Sequence, residues 1–355
     1  MGKNTLKQGY LAQIIDDKFY FLVLFSHPTS GSLVRAHKLT PRRSFVEAIK
    51  LKYIESNEIS NELLPQPTGY DRAIEYVGFE KSSFSYISSF KRHTELSLIN
   101  LQIAFCGEES HEFFQVFSRV ETLNLTNNLL SSWNEVAKII SLFPSLTKLI
   151  LSYNRITCPE QSSNLRNYFA KLNTLVIDNH NYDWNDVLKC ATLLWPNIKR
   201  LDLWGNKITY LSEPESSVFS QLNYLSLSNN LICDWKEICK LGKLPNLQCL
   251  DIGNCGIKSI VILDASLFKQ LKQLFLKDNQ LSSWNDIAEL NKLQKLEDLM
   301  IKRNPIFQSD EYEVCFNFVL SKIENLKVLN REQVKSFFCL MIKLISSLIL
   351  IVYLN

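Results

Sequence analysis

The sequence predicts an α/β solenoid, an arc of about nine short parallel strands laid edge to edge with turns and helices outside, preceded by an incomplete β-rich segment. Three observations carry that prediction. One phrase, L-x-x-L-x-L-x-x-N-x-L, recurs nine times between His93 and Ile306. Its first positions fall at 93, 120, 146, 172, 198, 222, 247, 271 and 296, so the period stays between 24 and 27 residues. A tryptophan that opens a capped segment follows the asparagine in alternate copies, at Trp133, Trp184, Trp235 and Trp284.

Each position of the phrase has a physical task. The central L-x-L alternates with period two, as a short strand must when one face is buried, and the flanking apolar positions fill the same interior from the turns. Leu123-Asn-Leu125, Leu149-Ile-Leu151, Leu201-Asp-Leu203, Leu225-Ser-Leu227 and Leu274-Phe-Leu276 show it most clearly. One copy cannot bury that much apolar surface, so neighbours stack, and the period lies in the leucine-rich-repeat range. At the ninth position the chain turns and leaves backbone N–H and C=O groups facing inward, which a side-chain amide satisfies from both ends. Asn128, Asn154, Asn206, Asn230, Asn279 and Asn304 hold that slot. The opening copy from His93 lacks the asparagine, and two others replace it with His180 and Cys255.

The residues before the four tryptophans are Ser132, Asp183, Asp234 and Ser283, and each is followed three residues later by Glu135, Asp186, Glu237 or Asp286. That is the spacing of a capping box, so helices are expected to begin there, with the tryptophans as convex-side core.

The rest of the chain divides around the repeats. Residues 1–45 have glycine-punctuated strand character, with the apolar run Phe19 to Phe25. Residues 46–92 hold a short amphipathic helix capped by Ser44, a polar linker with Pro65 and Pro67, and a strand-like Ile74–Phe79 and helix-like Ser82–Arg92 expected to cap the first repeat. The repeats fill 93–307, and a C-terminal cap fills 308–334, with Leu326-Lys-Val-Leu329-Asn330 at its end. Residues 335–355 form an apolar tail. Its run from Phe337 to Leu354 is near the lower length for a bilayer of roughly 30 Å, but Lys343 near its middle counts against insertion, favouring a packing helix or appended sequence over an anchor.

Composition narrows the function. A net charge of +3 over 355 residues, without a dense Lys/Arg stripe, gives no case for nucleic acid as a partner. Nine cysteines without a C-x-x-C pair, and no apolar signal stretch at the N-terminus, point to a reducing, cytoplasmic setting. The five histidines lie far apart, metal-ligand spacings are absent, and there is no phosphate-cradling glycine loop, so an enzyme, a metal or a cofactor is not expected.

A resemblance adds to this reading. Gly2-Lys3-Asn4, Gly9-Tyr10, and His27-Pro-Thr-Ser-Gly-Ser-Leu-Val-Arg35 with Lys38-Leu39 resemble the second half of a CAP-Gly domain, the small β-rich module that reads acidic tails of microtubule proteins. Such a segment ahead of leucine-rich repeats is similar to the tubulin-folding cofactor E family. Phe45-Val-Glu-Ala-Ile-Lys50, Ile74-Glu-Tyr-Val-Gly-Phe79 and Leu129-Leu-Ser-Ser-Trp-Asn-Glu-Val136 agree with that family. The resemblance implies a tubulin-folding role with α-tubulin as partner, β-tubulin and other cofactors beside it, and Gly2, Lys3 and Asn4 as remnants of a carboxylate-binding loop. Thr5 and Leu6 stand where the loop motif has Asp and Gly, and neither the first half of a CAP-Gly domain nor a ubiquitin-like domain after the repeats is expected within these 355 residues.

Independently of the resemblance, the strand residues beside the inward leucines should face the concave side. Lys148, Arg200, Asp202, Trp204, Tyr224, Phe275, Lys277 and Lys302 are the candidate contacts there, with Trp204, Arg200 and Tyr224 of the types enriched at interface centres. Two other readings remain at this stage: a scaffold for an unrelated protein such as a phosphatase, and an adaptor tethered by the apolar tail.

Overall fold

The computed structural model describes residues 11–15, 18–22, 42–55, 93–108, 111–115, 117–160, 165–308 and 311–334; of 11–15, 18–22, 54, 55, 111 and 112 the backbone alone is described. Leu11–Ile15 (β1) and Lys18–Leu22 (β2) pair antiparallel. Arg43–Ser44 (β3) leads into Phe45–Lys50 (α1), which continues as a wide helical turn, Leu51–Glu55.

The repeats then supply one strand each: Glu95–Ser97 (β4), Thr122–Asn124 (β6), Lys148–Ile150 (β7), Thr174–Val176 (β8), Arg200–Asp202 (β9), Tyr224–Ser226 (β10), Cys249–Asp251 (β11), Gln273–Phe275 (β12) and Asp298–Met300 (β13). These nine strands pair in parallel in chain order, except that Ile103–Phe105 (β5) leaves the series to pair with β3. Register is kept throughout. Leu123, Leu149, Leu175, Leu201, Leu225, Leu250, Leu274 and Leu299 stand opposite one another as a single column, each wholly buried. Each such leucine contributes about 1.5–3 kcal/mol of apolar burial, and none has a complete environment without its neighbours.

The asparagine slots close the turns between repeats. Asn128 Oδ1 accepts from Leu101 N and Ile103 N, while its Nδ2 donates to Leu98 O at 2.7 Å and Leu125 O at 2.9 Å. Asn154, Asn230, Asn279 and Asn304 do the same between their own pairs of repeats. The two departures work less completely. His180 Nδ1 lies 3.2 Å from Asp178 O, but its Nε2 is buried without a partner, and burial drives the imidazole down to about 4, so the ring is neutral. Cys255 directs its thiol at Leu227 O, and burial pushes that thiol up to about 12.

The residue before each slot turns through the left-handed region, at Asn100, Asn127, Tyr153, Asn179, Gly205, Asn229, Asn254, Asp278 and Arg303. Asparagine tolerates that conformation best among non-glycine residues. Gly205 is needed for a second reason: a Cβ there would sit 2.7 Å from Asn179 Oδ1.

Outside the sheet, helices begin at the four tryptophans: Trp133–Ser141 (α3), Trp184–Leu193 (α5), Trp235–Cys239 (α6) and Trp284–Glu289 (α7), after the short His111–Gln115 (α2) and Arg166–Phe169 (α4). Ser132, Asp183, Asp234 and Ser283 cap them as the spacing predicts. Of these four helices, the one with the full capping box is that of Asp183 and Asp186. In the other three the acid turns to the preceding repeat: Glu135 accepts from Cys106 N at 2.8 Å, Glu237 from Leu211 N at 2.6 Å, and Asp286 from Ile260 N at 2.9 Å. In each case a bond between repeats replaces the local one.

Both ends of the arc are covered. Phe45 is wholly buried and meets Phe143 edge-on at 5.7 Å, Val46 N donates to Cys106 O, and Tyr53 OH donates to Ser97 O at 3.0 Å, so the α1 segment packs on the first repeats. The expected strand 74–79, helix 82–92, linker and apolar tail lie outside the described residues. At the far end Tyr312–Lys322 (α8) brings Phe318 against Trp284 at 4.4 Å. Val328–Leu329 (β14) then adds a tenth parallel strand, and Glu332–Gln333 (β15) folds back antiparallel to finish the edge. Asn330 behaves as one more slot residue, accepting from Ile301 N and Lys302 N.

Candidate binding face

Because the buried leucines point inward, the residues beside them are driven to the concave surface, where the register sets who meets whom. Arg200 stands directly opposite Tyr224, and Asp202 opposite Ser226. The Arg200 guanidinium lies 3.3 Å from the centre of the Tyr224 ring, a stacked cation–π contact that holds the arginine flat along the sheet. Trp204, two residues past Asp202, keeps 38% of its surface exposed in a protein whose other tryptophans are buried or partly so. Its position is fixed from below, since Trp204 N donates to Asp178 Oδ1 at 3.0 Å while Ser152 Oγ donates to the other carboxylate oxygen at 3.1 Å.

Asp178, two residues past the end of β8, and Asp202 on β9 load the centre of this face with interacting carboxylates. Burial, then the charge of Asp202, raises Asp178 to about 7. Asp202 is itself raised, again by burial first, although a hydrogen bond with Ser226 and the charge of Arg200 oppose the rise. The Tyr224 hydroxyl is pushed up to about 12 by burial and by Asp202. The centre is therefore an aromatic and guanidinium platform over a pair of carboxylates, both raised above the usual carboxylate range by burial.

The structure groups Arg200, Asp202, Trp204 and Tyr224 into one patch on β9 and β10. Lys148 stands two strands away in the same row as Arg200. Phe275, on β12, lies beside Met300 in the row of Asp202. Lys277 extends over Gly253, where a Cβ would meet its side chain at 3.0 Å, and Lys302 holds the equivalent position one repeat on. The eight candidates thus line one curved wall without converging on a point. Gly2, Lys3 and Asn4 lie outside the described residues. Asp178, absent from the candidates, anchors the patch; the signal that finds it is its register beside Trp204 one repeat earlier.

Among the described residues no group of three or more His, Cys, Asp or Glu could hold a metal, and no helix is long and apolar enough to cross a membrane.

A leucine-rich-repeat family model matches residues 184–337. Tubulin-specific chaperone E of Bos taurus is 33% identical over 213 residues, which are 60% of this chain and 40% of that protein. The Danio rerio protein of the same name is 35% identical over 207 residues, 58% of this chain and 38% of that one. Tubulin-folding cofactor E of Arabidopsis thaliana is 30% identical over 223 residues, 61% of this chain and 41% of that one. Over about three fifths of its length this chain is thus similar to proteins of that name. It spans about two fifths of the length of these relatives. Among solved structures, an internalin C2 of Listeria monocytogenes is similar at 28% identity and a TM-score of 0.42, over 62% of this chain and 83% of that one. The CAP-Gly-like segment of residues 1–45 lies largely outside the described residues.

Proposed function

We propose that this chain is a non-enzymatic tubulin-folding cofactor that holds α-tubulin against its concave sheet and takes part in assembling or dissociating the α/β-tubulin heterodimer, with β-tubulin and other tubulin-folding cofactors as further partners. The observation that carries the reading is the likeness of this chain to tubulin-specific chaperone E, 33% identical over 213 residues, beside a leucine-rich-repeat match over 184–337. Supporting it, the wall offers an exposed tryptophan, a stacked arginine–tyrosine pair and two carboxylates at its centre, the side-chain types through which proteins grip one another. No cofactor is called for, and the setting is the cytoplasm, in association with the cytoskeleton.

Retention of purified α-tubulin and β-tubulin on the immobilised full chain tests the proposal. The expected result is saturable retention of α-tubulin, with β-tubulin held more weakly. Failure to retain α-tubulin, with capture of an unrelated protein in its place, would move the chain to the scaffold reading.

A further inference from the structure

A second site lies off the concave face, along the edge where the strands end. There a cleft of about 630 Å³ is lined by Arg42, Arg155, Tyr153 and the amides of Asn127, Asn179 and Asn181, together with the turn residues around them. Among the described residues no carboxylate lines it, and neither Arg42 nor Arg155 has a side-chain partner. Asn179 Nδ2 is buried and likewise finds no acceptor. Elsewhere Arg43, Arg200 and Arg303 engage a carbonyl, a ring and a carboxylate, so the two cleft arginines differ from these in being open to a ligand.

The register shows why the cleft is elongated. Its lining comes from four successive repeats, represented by Ala104, Asn127, Tyr153 and Asn179. Repeats are spaced by one strand separation, so the cleft runs roughly 14 Å, a distance covered by about four residues of extended chain. Arg155 and Asn181 are equivalent positions in neighbouring repeats, and the next equivalent is Lys207, which keeps the edge basic beyond the cleft. A free anion would occupy a small part of this volume. An extended peptide would fill it, its backbone meeting the asparagine amides and its side chains meeting the guanidiniums.

We propose that this cleft binds an acidic peptide segment of a partner protein, with Arg42 and Arg155 clamping carboxylates and the asparagine row pairing with peptide groups. The guanidinium fork matches a carboxylate through two parallel N–H donations, and the amides supply both donors and acceptors. The site is separate from the Arg200–Trp204 patch, so it stands or falls independently of the tubulin reading.

Fluorescein-labelled hexaglutamate, titrated with the full chain and followed by anisotropy, tests the proposal. The expected result is saturable binding that weakens with salt and falls about tenfold or more in the double variant Arg42→Gln, Arg155→Gln. Arg42→Lys with Arg155→Lys should restore part of it, since charge is kept and the fork is lost. Both arginines are exposed, and coincident thermal melts will verify that the variants fold. Arg119→Gln, an exposed arginine outside the cleft, should leave the affinity unchanged. Binding unaltered by the cleft arginine variants, an equal loss with Arg119→Gln, or displacement of the peptide by equimolar inorganic phosphate would each overturn the assignment, as would no binding at all.

Discussion

Substituting Asn230 by alanine probes the arc at the point where sequence and fold are most tightly joined. Asn230 Oδ1 accepts from Ile208 N at 2.9 Å, and its Nδ2 donates to Leu203 O at 3.0 Å and Leu227 O at 2.8 Å, all buried. Alanine leaves one N–H and two carbonyls of two adjacent turns without that partner. An orphaned buried group costs about 1–3 kcal/mol, and a water entering the vacated space recovers part of this, so a loss of about 3–5 kcal/mol is expected. The adjacent Leu231, 57% exposed, serves as the control, and Leu231→Ala should cost less than about 0.5 kcal/mol. Urea denaturation followed by tryptophan fluorescence measures both, with the slope of the transition checked because repeat arrays can lose cooperativity. Hydrogen exchange should show the Ile208 amide losing protection more than amides three repeats away. A loss below about 1 kcal/mol for Asn230→Ala would refute the view that the amide ladder holds adjacent turns together.

Three further outcomes follow from the same geometry. Asp178 binds its proton more tightly when folded than unfolded, so its contribution is present at low pH and is lost as pH rises from about 4 to about 7. Asp178→Asn should therefore gain on the wild type by on the order of 2 kcal/mol between acid and neutral melts, and parallel pH profiles would contradict that burial. Phe45→Ala, which empties the contact with Phe143 under the first repeat, should cost about 3–5 kcal/mol in thermal or urea unfolding, and a negligible loss would show that α1 does not cap the arc. The Cys158 and Cys190 sulfurs lie 3.2 Å apart in neighbouring repeats, so mild diamide, which takes the two thiol hydrogens, should join them before any other pair; peptide mass mapping that finds a different first crosslink would contradict the packing there.

Much of the architecture was legible because the physics repeats. A leucine at a fixed interval has one way to be buried nine times over, and the register of Leu123 through Leu299 follows from the spacing alone. The helix starts were legible for the same reason, since Ser132, Asp183, Asp234 and Ser283 precede their tryptophans at the capping position. What sequence reasoning missed depends on the neighbour across a repeat boundary. Glu135, Glu237 and Asp286 have capping-box spacing, yet each serves the backbone of the repeat before it, a choice set by an unpaired N–H that local spacing does not encode. The strand at Val328–Leu329 was hidden because Arg331 stands where the phrase has its third leucine. On the candidate face, exposure was legible from alternation, whereas the stacking of Arg200 on Tyr224 and the support of Trp204 by Asp178 required the register in three dimensions.

The central claim is that the concave wall is where the partner protein sits, and the affinity of the full chain for α-tubulin measures it when Trp204→Ala is set beside Tyr210→Ala. Tyr210 is 72% exposed but lies past the turn, away from the strands of the wall. Losing Trp204 should weaken binding by about 2 kcal/mol, roughly thirtyfold, and losing Tyr210 should leave it within twofold. Equal affinities for wild type and Trp204→Ala, or a loss confined to Tyr210→Ala, would contradict it.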